Sequence, residues 1–502
     1  MSVLRAVLNT LLREDFLGIR SCGSVVDGVL RFELVEIPVC PDGFLCDVAV
    51  AEPVVIHDGR RYDDLTSVLA LFREQVDPVD LAGFDDFTRE CLAALVSPRP
   101  ANPLDYDALA ACAGHPVYPT ANARVGMSPE DQVRYAPEHQ PTFALHWTGV
   151  PAARVTGEGT LPDWWPTAAE PDQVPFPVHP LTATGRPGRI MVRPTLSMRT
   201  VAVDPLTHLK LPLPISTLGL RNRRTIKPGT LVDGAVTQRL LAAILRREPE
   251  LARRILLADE QTYRQTDDEL LAFLVRRYPA DLITAEVVPL AALTARGADN
   301  RMVLDQLAGR YFGGDRLALL AAYLAPLLDF QTTLLLRYGI ALESHQQNVA
   351  LVLDHRVRLL IKDNDGPRLR ADRVRAASLP PDADPALLTD RRIVVTDTEP
   401  LIDLFTTITL HLCAGAVVFA LPEPDRRRGL ALVRDLLAAA IDRHPPIADA
   451  KLLRANTLDA DRLPVKAMVT AGTLLSKQRS GASDINKFYL RDGPNYLIDG
   501  SS

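Results

Sequence analysis

Two apolar runs separated by a short polar break constrain the fold of this chain more than any other stretch. The runs are residues 349–353 and 357–361, and the break is Asp354, His355 and Arg356. This pattern predicts a β-hairpin. Because a hairpin brings its two ends together, residues 343–348 should face residues 362–366.

The ends of this hairpin carry side chains that suit a nucleotide and magnesium. Hard cations take oxygen ligands, and Mg²⁺ usually uses one or two carboxylates together with phosphate oxygens. An amide, an imidazole and several carboxylates at one place match that need, although a hairpin with ordinary polar ends is the alternative interpretation. The residues are Glu343, His345, Gln347, Asn348, Lys362, Asp363 and Asp365.

Length and composition set the class of protein. With 502 residues the chain is too long for one core, so two or three packed subdomains are expected. A net charge of −6 provides no broad basic surface, which argues against nucleic acid as a partner. The six cysteines lack C-x-x-C spacing, which fits reduced thiols in the cytoplasm. No signal peptide is expected, and the apolar residues 317–336, interrupted by Pro326 and Asp329, predict a buried helix rather than a membrane span.

The local pattern predicts the remaining elements. Asp27-Gly28 indicates a tight hairpin turn, and residues 151–175, rich in Pro, Gly and acid, indicate a surface excursion. His411 lies among leucines, where a core histidine is at least as good an interpretation as a site residue. Apolar spacing predicts helices at residues 232–245, 268–278, 315–338, 401–419 and 428–442.

A phosphate-binding strand is predicted at residues 190–201. Extended alternation would place Ser197 and Arg199 on the same face of that strand. A hydroxyl and a guanidinium two residues apart can reach one phosphate chain, and arginine binds phosphate oxygens bidentately.

These blocks resemble the motifs of one family. Residues 339–348 resemble the G-x-x-x-E-x-H-x-Q-N motif of the IucA/IucC family, the NRPS-independent siderophore (NIS) synthetases, and residues 362–366 resemble its R/K-D-x-x-G element. Further matches are residues 114–126 to G-H-P-x-H-P-x-x-K-x-R-x-G, 135–138 to Y-A-P-E, 194–200 to P-T-x-S-x-R-T, 210–213 to K-L-P-L, 215–221 to I-T/S-x-x-x-R, and 463–468 to the K-A-L-L segment. The resemblance spans roughly residues 114–468.

The resemblance implies a fold. It is an α+β multi-lobe, hand-like fold with thumb, fingers and a partly kinase-like palm. We assign residues 1–150 to an N-terminal thumb-like α/β lobe, 151–338 to a fingers-like lobe with phosphate-binding strands, and 339–502 to a palm-like lobe with the hairpin and C-terminal helices. A cytoplasmic homodimer without membrane contact is expected.

The resemblance also implies an activity. Family members use ATP and Mg²⁺ to adenylate a carboxylic acid and pass the acyl group to an amine or hydroxyl, giving an amide or ester together with AMP and pyrophosphate. This would make the chain a ligase of siderophore or related small-metabolite biosynthesis. Two alternatives stay open: an ATP phosphotransferase on the kinase-like palm, and a non-catalytic family member acting as a binding partner.

The resemblance assigns roles to single residues. His345, Arg199 and Lys210 are the predicted catalytic residues. The nucleotide would be held by Ser197, Arg199, Thr200, Lys210, Arg221, His345, Gln347 and Asn348, and the metal by Glu343, Asn348, Asp363 and Asp365. The substrate residues would be His115, Tyr118, Asn122, Arg124 and Lys466.

Two positions depart from the family pattern. Tyr118 replaces a histidine and Asn122 replaces a lysine. Neither neutral side chain can replace a cationic partner of a carboxylate. We therefore expect a mono- or dicarboxylic acid, or an acid carrying an amine, rather than citrate. The alternative is that Arg124, Lys466 or an arginine of residues 366–375 takes over and citrate is retained.

Overall fold

The computed structural model describes residues 2–98, 100, 105–182, 185–481 and 487–498. The chain forms an α+β protein, as predicted. Its N-terminal part pairs helices with an antiparallel sheet, and the tight turn predicted at Asp27-Gly28 is present, with φ of 50° and 74° at the two residues. The strands of this sheet are Ser24–Val26, Val29–Phe32, Val35–Pro41, Val48–Val50, Val55–His57 and Arg60–Tyr62.

An eight-stranded sheet follows and corrects one prediction. The helix predicted at residues 268–278 is wrong, because Ala272–Arg277 is a strand next to Thr207–Lys210. Its residues are buried nearly throughout, and a short continuous apolar run does not distinguish a buried strand from a helix. In sheet order the strands are Thr156–Glu158, Asp259–Gln265, Ala272–Arg277, Thr207–Lys210, Thr200–Ala202, Arg186–Pro194, Phe143–Pro151 and Gln173–Val178.

The excursion predicted at residues 151–175 is only partly external. Thr156–Glu158 is the edge strand of the eight-stranded sheet. The ring of Trp165 packs on that of Phe273, with centroids 4.8 Å apart. Packing of this aromatic ring against the sheet favours an internal position for Trp165, despite the polar residues around it in the sequence.

The predicted hairpin is confirmed. Val349–Leu353 pairs with Val357–Ile361 in antiparallel register, with Val349 opposite Ile361 and Leu353 opposite Val357. The four-stranded sheet that contains it runs Ile255–Leu257, Val357–Ile361, Val349–Leu353 and Glu286–Pro289. Two small sheets are formed by Ile340–Ala341, Arg368–Arg370 and Val394–Val395, and by Arg462–Lys466 and Tyr489–Pro494.

The other predicted helices are confirmed within a few residues. Two helical segments, Arg316–Tyr338 and Glu399–Phe419, are long and apolar enough to cross a membrane, but 83% and 94% of their most apolar windows are buried inside the protein. This agrees with the core helix predicted at residues 317–336. The α-helices are Val3–Arg13, Leu65–Arg73, Leu81–Val96, Tyr106–Ala113, Pro129–Tyr135, Thr230–Arg247, Pro249–Ala252, Val303–Tyr311, Arg316–Thr333, Ala371–Ala376, Glu399–Leu404, Ala416–Phe419, Asp425–Asp442, Ala448–Thr457 and Lys477–Ser480, with π-helical turns at Leu334–Tyr338, Phe405–Gly415 and Thr470–Leu474.

Sheets cross both of the predicted lobe boundaries. The strand Phe143–Pro151 of the eight-stranded sheet spans residue 150. Glu286–Pro289 pairs with Val349–Leu353 across residue 338. The division into lobes at residues 150 and 338 stays a prediction, and the crossing sheets tie the neighbouring parts together near the hairpin.

Candidate active site

A cavity of about 300 Å³ is lined mainly by six segments of the chain. Two of these segments are the ends of the hairpin, as predicted. Most of the predicted site residues line the cavity, although Tyr118, Thr200, Lys210 and Arg221 are not among its lining residues. The segments are residues 110–124, 196–199, 217–224, 343–348 with 363–365, and 466–468.

The first hairpin end is a compact turn held by its own hydrogen bonds. The amide of Asn348 donates to the carbonyl of His345 (2.8 Å), and its side-chain Nδ2 donates to the carbonyl of Glu343 (3.2 Å). His345 Nδ1 accepts from the amide of Gln347 (3.3 Å), so its ring proton lies on Nε2. Burial lowers the pKa of His345 despite the nearby Glu343 carboxylate. His345 therefore presents a neutral N–H donor at this wall.

At the second hairpin end, the carboxylates of Asp363 and Asp365 lie on either side of a buried cation. That cation is Lys210, from the strand Thr207–Lys210. Lys210 Nζ donates to Asp363 and, at 2.7 Å, to Asp365. A nitrogen of Arg276 lies 3.3 Å from Asp363. Burial alone would raise the pKa of Asp363, but Lys210 and Arg276 outweigh it and hold that pKa well below its usual range. The predicted catalytic Lys210 thus lies behind the two carboxylates and, with Arg276, keeps Asp363 ionised.

The carboxylates fit magnesium only together with another ligand. Among the described residues, no group of three or more His, Cys, Asp or Glu side chains could hold a metal ion. Glu343, Asp363 and Asp365 nevertheless line the same cavity. Mg²⁺ needs only one or two carboxylates where phosphate oxygens complete its shell. The donor set fits an ion that arrives with a polyphosphate.

A turn interrupts the predicted phosphate-binding strand at Ser197 and Arg199. Arg186–Pro194 ends before Ser197, Thr200–Ala202 begins after Arg199, and Met198 has φ of +63°. The hydroxyl of Ser197 accepts from the amide of Thr200 (3.0 Å). Hydroxyl side chains that bond the backbone compete with the strand ladder, so the alternation argument was wrong here. Ser197 and Arg199 still line the cavity, whereas Thr200 is buried in the next strand.

Two arginines line this wall without a carboxylate at salt-bridge distance in the described structure. Arg199 Nη1 donates to the carbonyl of Thr225 (2.9 Å), while its buried Nε has no partner among the described residues. Burial, together with the charge of Arg199, lowers the pKa of Arg224 to about 9. Both side chains are half-buried and line the cavity, so an anion bound there can reach them. An anion in the cavity would supply the missing partner.

Arg224 lines the cavity, whereas Arg221, the arginine indicated by the motif match, does not. Arg221 donates to the carbonyls of Ala471 (3.1 Å), Thr473 (3.3 Å) and Leu475, away from the cavity. The motif match fixed the arginine at Arg221, and only the path of the loop shows which guanidinium reaches the cavity. The closely spaced Arg221, Arg223 and Arg224 were the available signal.

Three of the predicted substrate residues line the cavity, and we call their part of it the substrate side. His115, Asn122 and Lys466 line the cavity. His115 Nδ1 accepts from two backbone amides, at 3.2 and 3.0 Å, and burial first, then the neighbouring His345 and Lys466, lower the pKa of His115 to about 3. Lys466 Nζ lies 3.5 Å from Glu343 Oε1. Lys466 is thus a cation of this side, and it already faces a carboxylate.

The other two predicted substrate residues, Tyr118 and Arg124, have partners within the protein. Arg124 borders the cavity, but its guanidinium makes a buried bidentate pair with Glu138, at 2.6 and 2.7 Å. Tyr118 lies in the hydrophobic core, where burial and the nearby Glu90 raise the pKa of its phenol well above the usual value. Tyr118 thus lies away from the cavity, and the charge of Arg124 is already paired with Glu138.

His411 is a core histidine. Its Nδ1 is 2.8 Å from the hydroxyl of Tyr496, and its Nε2 is 2.8 Å from the carbonyl of Pro464. Both ring nitrogens are satisfied within the described core, so His411 has no free nitrogen for a substrate.

Comparison with solved structures shows which class of protein has this fold. The petrobactin biosynthesis protein AsbB from Bacillus anthracis str. Sterne has a TM-score of 0.79 at 17% identity, over 99% of this chain and 95% of that one. The ATP-bound aerobactin synthetase IucA from a hypervirulent pathotype of Klebsiella pneumoniae has a TM-score of 0.75 at 18% identity, over 99% of each chain. The aerobactin synthetase IucC of the same organism scores 0.72 at 20% identity, over 99% and 98%. The fold is that of the NIS synthetases.

The family comparison agrees over the middle of the chain. Residues 104–186 and 179–295 match the IucA / IucC family. This match agrees with the predicted resemblance to IucA/IucC over residues 104–295. Residues 317–480 match a second family, described as ferric iron reductase FhuF-like transporter. The uncharacterized protein y4xN of Sinorhizobium fredii (strain NBRC 101917 / NGR234) is 25% identical over 318 residues, which are 51% of this chain and only 50% of that protein.

Proposed function

We propose that this protein is an ATP-dependent ligase that adenylates a carboxylic acid and transfers the acyl group to an amine or hydroxyl in siderophore or related small-metabolite biosynthesis. The observation that carries the proposal is the pair Arg199 and Arg224, which line one cavity with the acidic hairpin end and have no carboxylate at salt-bridge distance in the described structure. The family, the shared fold and an ATP-bound structural relative support it.

The first step forms the mixed anhydride. A carboxylate oxygen of the acid bonds to the α-phosphorus, the bond to the bridging oxygen breaks, and pyrophosphate leaves with its electron pair. Arg199 and Arg224 stabilise the charge on the phosphoryl oxygens, and the N–H of His345 donates to an oxygen of the α-phosphate or of the acid. Asp363, Asp365 and Glu343 would hold magnesium, which supplies further neutralisation of the phosphates.

The second step uses the adenylate in the same cavity. The amine or hydroxyl attacks the acyl carbon, AMP leaves, and the nucleophile loses one proton. The reaction is fast only if the reactants are held in line and in contact. His115, Asn122 and Lys466 lie on the side where the acid would bind.

A hydroxylamine-trapping screen tests this proposal. The protein is incubated with ATP, Mg²⁺ and hydroxylamine against a panel of carboxylic acids, and hydroxamate, pyrophosphate and AMP are measured together. We expect equimolar AMP and pyrophosphate with one class of acid. Formation of ADP instead would favour the phosphotransferase, and the absence of ATP–Mg²⁺ binding by calorimetry would favour a non-catalytic binding protein.

The FhuF-like match does not favour a competing redox function by cysteine ligation. Iron–sulfur clusters are held by several cysteine thiolates. Within residues 317–480 the sequence has only Cys413, and burial raises its pKa far above the usual value. The match covers the hairpin and the C-terminal helices, which the proposed ligase also uses.

A further inference from the structure

We infer that Arg221 is a positioning residue that clasps the two facing walls of the cavity. We call residues 217–224 the nucleotide wall and residues 466–475 the substrate wall. The first carries Arg224 into the cavity, and the second carries Lys466 and Met468. This inference rests on the proposed function, since it deepens the role of the same site.

Arg221 binds the backbone of the opposite wall at several points. Its guanidinium donates to the carbonyls of Ala471 (3.1 Å), Thr473 (3.3 Å) and Leu475, and its own amide donates to the carbonyl of Gly472 (3.2 Å). These carbonyls belong to the π-helical turn Thr470–Leu474 and the residue after it. A cation at the carboxyl end of a helical turn satisfies carbonyls that have no partner within the turn.

The two walls also touch backbone to backbone. A Cβ added to Gly219 would lie 3.3 Å from Gly472 Cα, and Gly219 has φ of +114°. The amide of Leu220 donates to Thr473 Oγ1 (3.1 Å). A side chain at residue 219 would therefore be strained and would push the walls apart.

The substrate wall is anchored to the N-terminal part of the protein on its other side. The carboxylate of Glu14 accepts from the amides of Val469 (3.0 Å) and Thr470 (2.7 Å). A Cβ on Gly83, in the helix Leu81–Val96, would lie 2.0 Å from the carbonyl oxygen of Leu474, so this helix packs directly on the turn. Arg221 thus connects the loop that carries Arg224 to a turn that is itself held by Glu14 and by the helix Leu81–Val96.

The consequence concerns the relative position of two cations. Arg224 faces the cavity from one wall and Lys466 from the other. Catalytic groups must be held within a fraction of an ångström of their productive geometry by supporting contacts. Loosening the clasp should therefore misplace phosphate and acid relative to each other while both can still bind.

The test compares Arg221→Gln, Arg221→Lys and the control Arg223→Gln. Arg223 lies in the same wall, is exposed, and makes only a 3.8 Å ion pair with Glu269. The acid found in the screen is used to measure hydroxamate formation. We expect Arg221→Gln to lower kcat by about tenfold or more, with a smaller rise in the KM for ATP, because contacts to a charged donor are lost but Arg224 remains. Arg221→Lys should recover part of kcat, and Arg223→Gln should stay within about twofold of the wild type.

Hydrogen exchange without ligand separates this inference from the proposed function. In Arg221→Gln, amides of both the nucleotide wall and the substrate wall should exchange faster, and those of Arg223→Gln should not. If the wild type adenylates no acid but amide exchange in Arg221→Gln is faster in both walls, the proposed function is wrong and the positioning role of Arg221 is supported. Exchange that changes in neither wall, or kcat that is unchanged per folded molecule, would overturn the clasp.

Discussion

Two sides of the cavity differ in what fixes the direction of their side chains. We call residues 343–348 and 363–365 the hairpin side, and residues 115–124 the loop side. On the hairpin side, Glu343, His345 and Asp363 lie in turns directly next to paired strands, and all three line the cavity. On the loop side, Tyr118 points into the core and Arg124 is bound to Glu138. A strand pair fixes the direction of the residues that flank it, whereas the direction of a loop side chain depends on what the loop packs against.

The largest effect is expected from the buried pair on the loop side. Arg124→Leu should lower the free energy of unfolding by about 3–5 kcal/mol, because it leaves the carboxylate of Glu138 buried and without its partner. Urea denaturation measures the change. The double variant Arg124→Leu/Glu138→Leu should recover most of the loss, since an apolar replacement of a buried ion pair is often close to neutral. A stable Arg124→Leu protein with a raised KM for the acid would instead place this guanidinium at the substrate.

The next effect tests the anion-binding wall. Arg199→Ala should lower the rate of adenylation at least about a hundredfold, because a charge-assisted contact made in the transition state is lost. Acid-dependent exchange of pyrophosphate into ATP measures it, with thermal unfolding as the test of folding. Arg189→Ala, at an exposed position of the strand Arg186–Pro194, is the matched control. A folded Arg199→Ala protein with normal exchange would remove Arg199 from the site.

A smaller effect is expected from the acidic pair on the hairpin side. Asp365→Asn should raise the Mg²⁺ concentration needed for half-maximal activity by about tenfold, because it removes an anionic oxygen ligand and keeps the shape. Asp354→Asn, at the opposite end of the same hairpin, should leave the Mg²⁺ requirement unchanged. If Asp365→Asn leaves it unchanged too, the carboxylate serves only to hold Lys210.

The sequence predicted the hairpin, most of the helices and the elements that surround the cavity. These follow from apolar spacing, which depends on neighbours in the chain. It did not predict the turn at Ser197, where hydroxyls bind backbone groups, or the buried strand Ala272–Arg277, whose apolar run has no period. It also could not choose between Arg221 and Arg224, because that choice depends on the packing of the loop against residues 470–475.

The smallest effect concerns the two departures from the family pattern, which the structure places in different environments. Asn122 lines the cavity, and Tyr118 does not. Among the described residues, Lys466 and Arg124 are the cations that line the substrate side, and both already face a carboxylate, Glu343 and Glu138 respectively. We therefore still expect a mono- or dicarboxylic acid, or an acid carrying an amine, to be preferred over citrate.

Two substitutions that restore the residues of the family motif test this preference between acids. Asn122→Lys adds a cation at the cavity wall and should raise kcat/KM for citrate relative to the preferred acid by about fivefold, the effect of a solvent-accessible ion pair of about 1 kcal/mol. Tyr118→His should lower stability, because it replaces a buried phenol ring of the core with a smaller and more polar imidazole, and should leave the ratio between the acids unchanged. Citrate as the best acid of the wild type would refute the expected preference. A change of the ratio in Tyr118→His, but not in Asn122→Lys, would show that the loop turns its other side to the substrate when the acid binds.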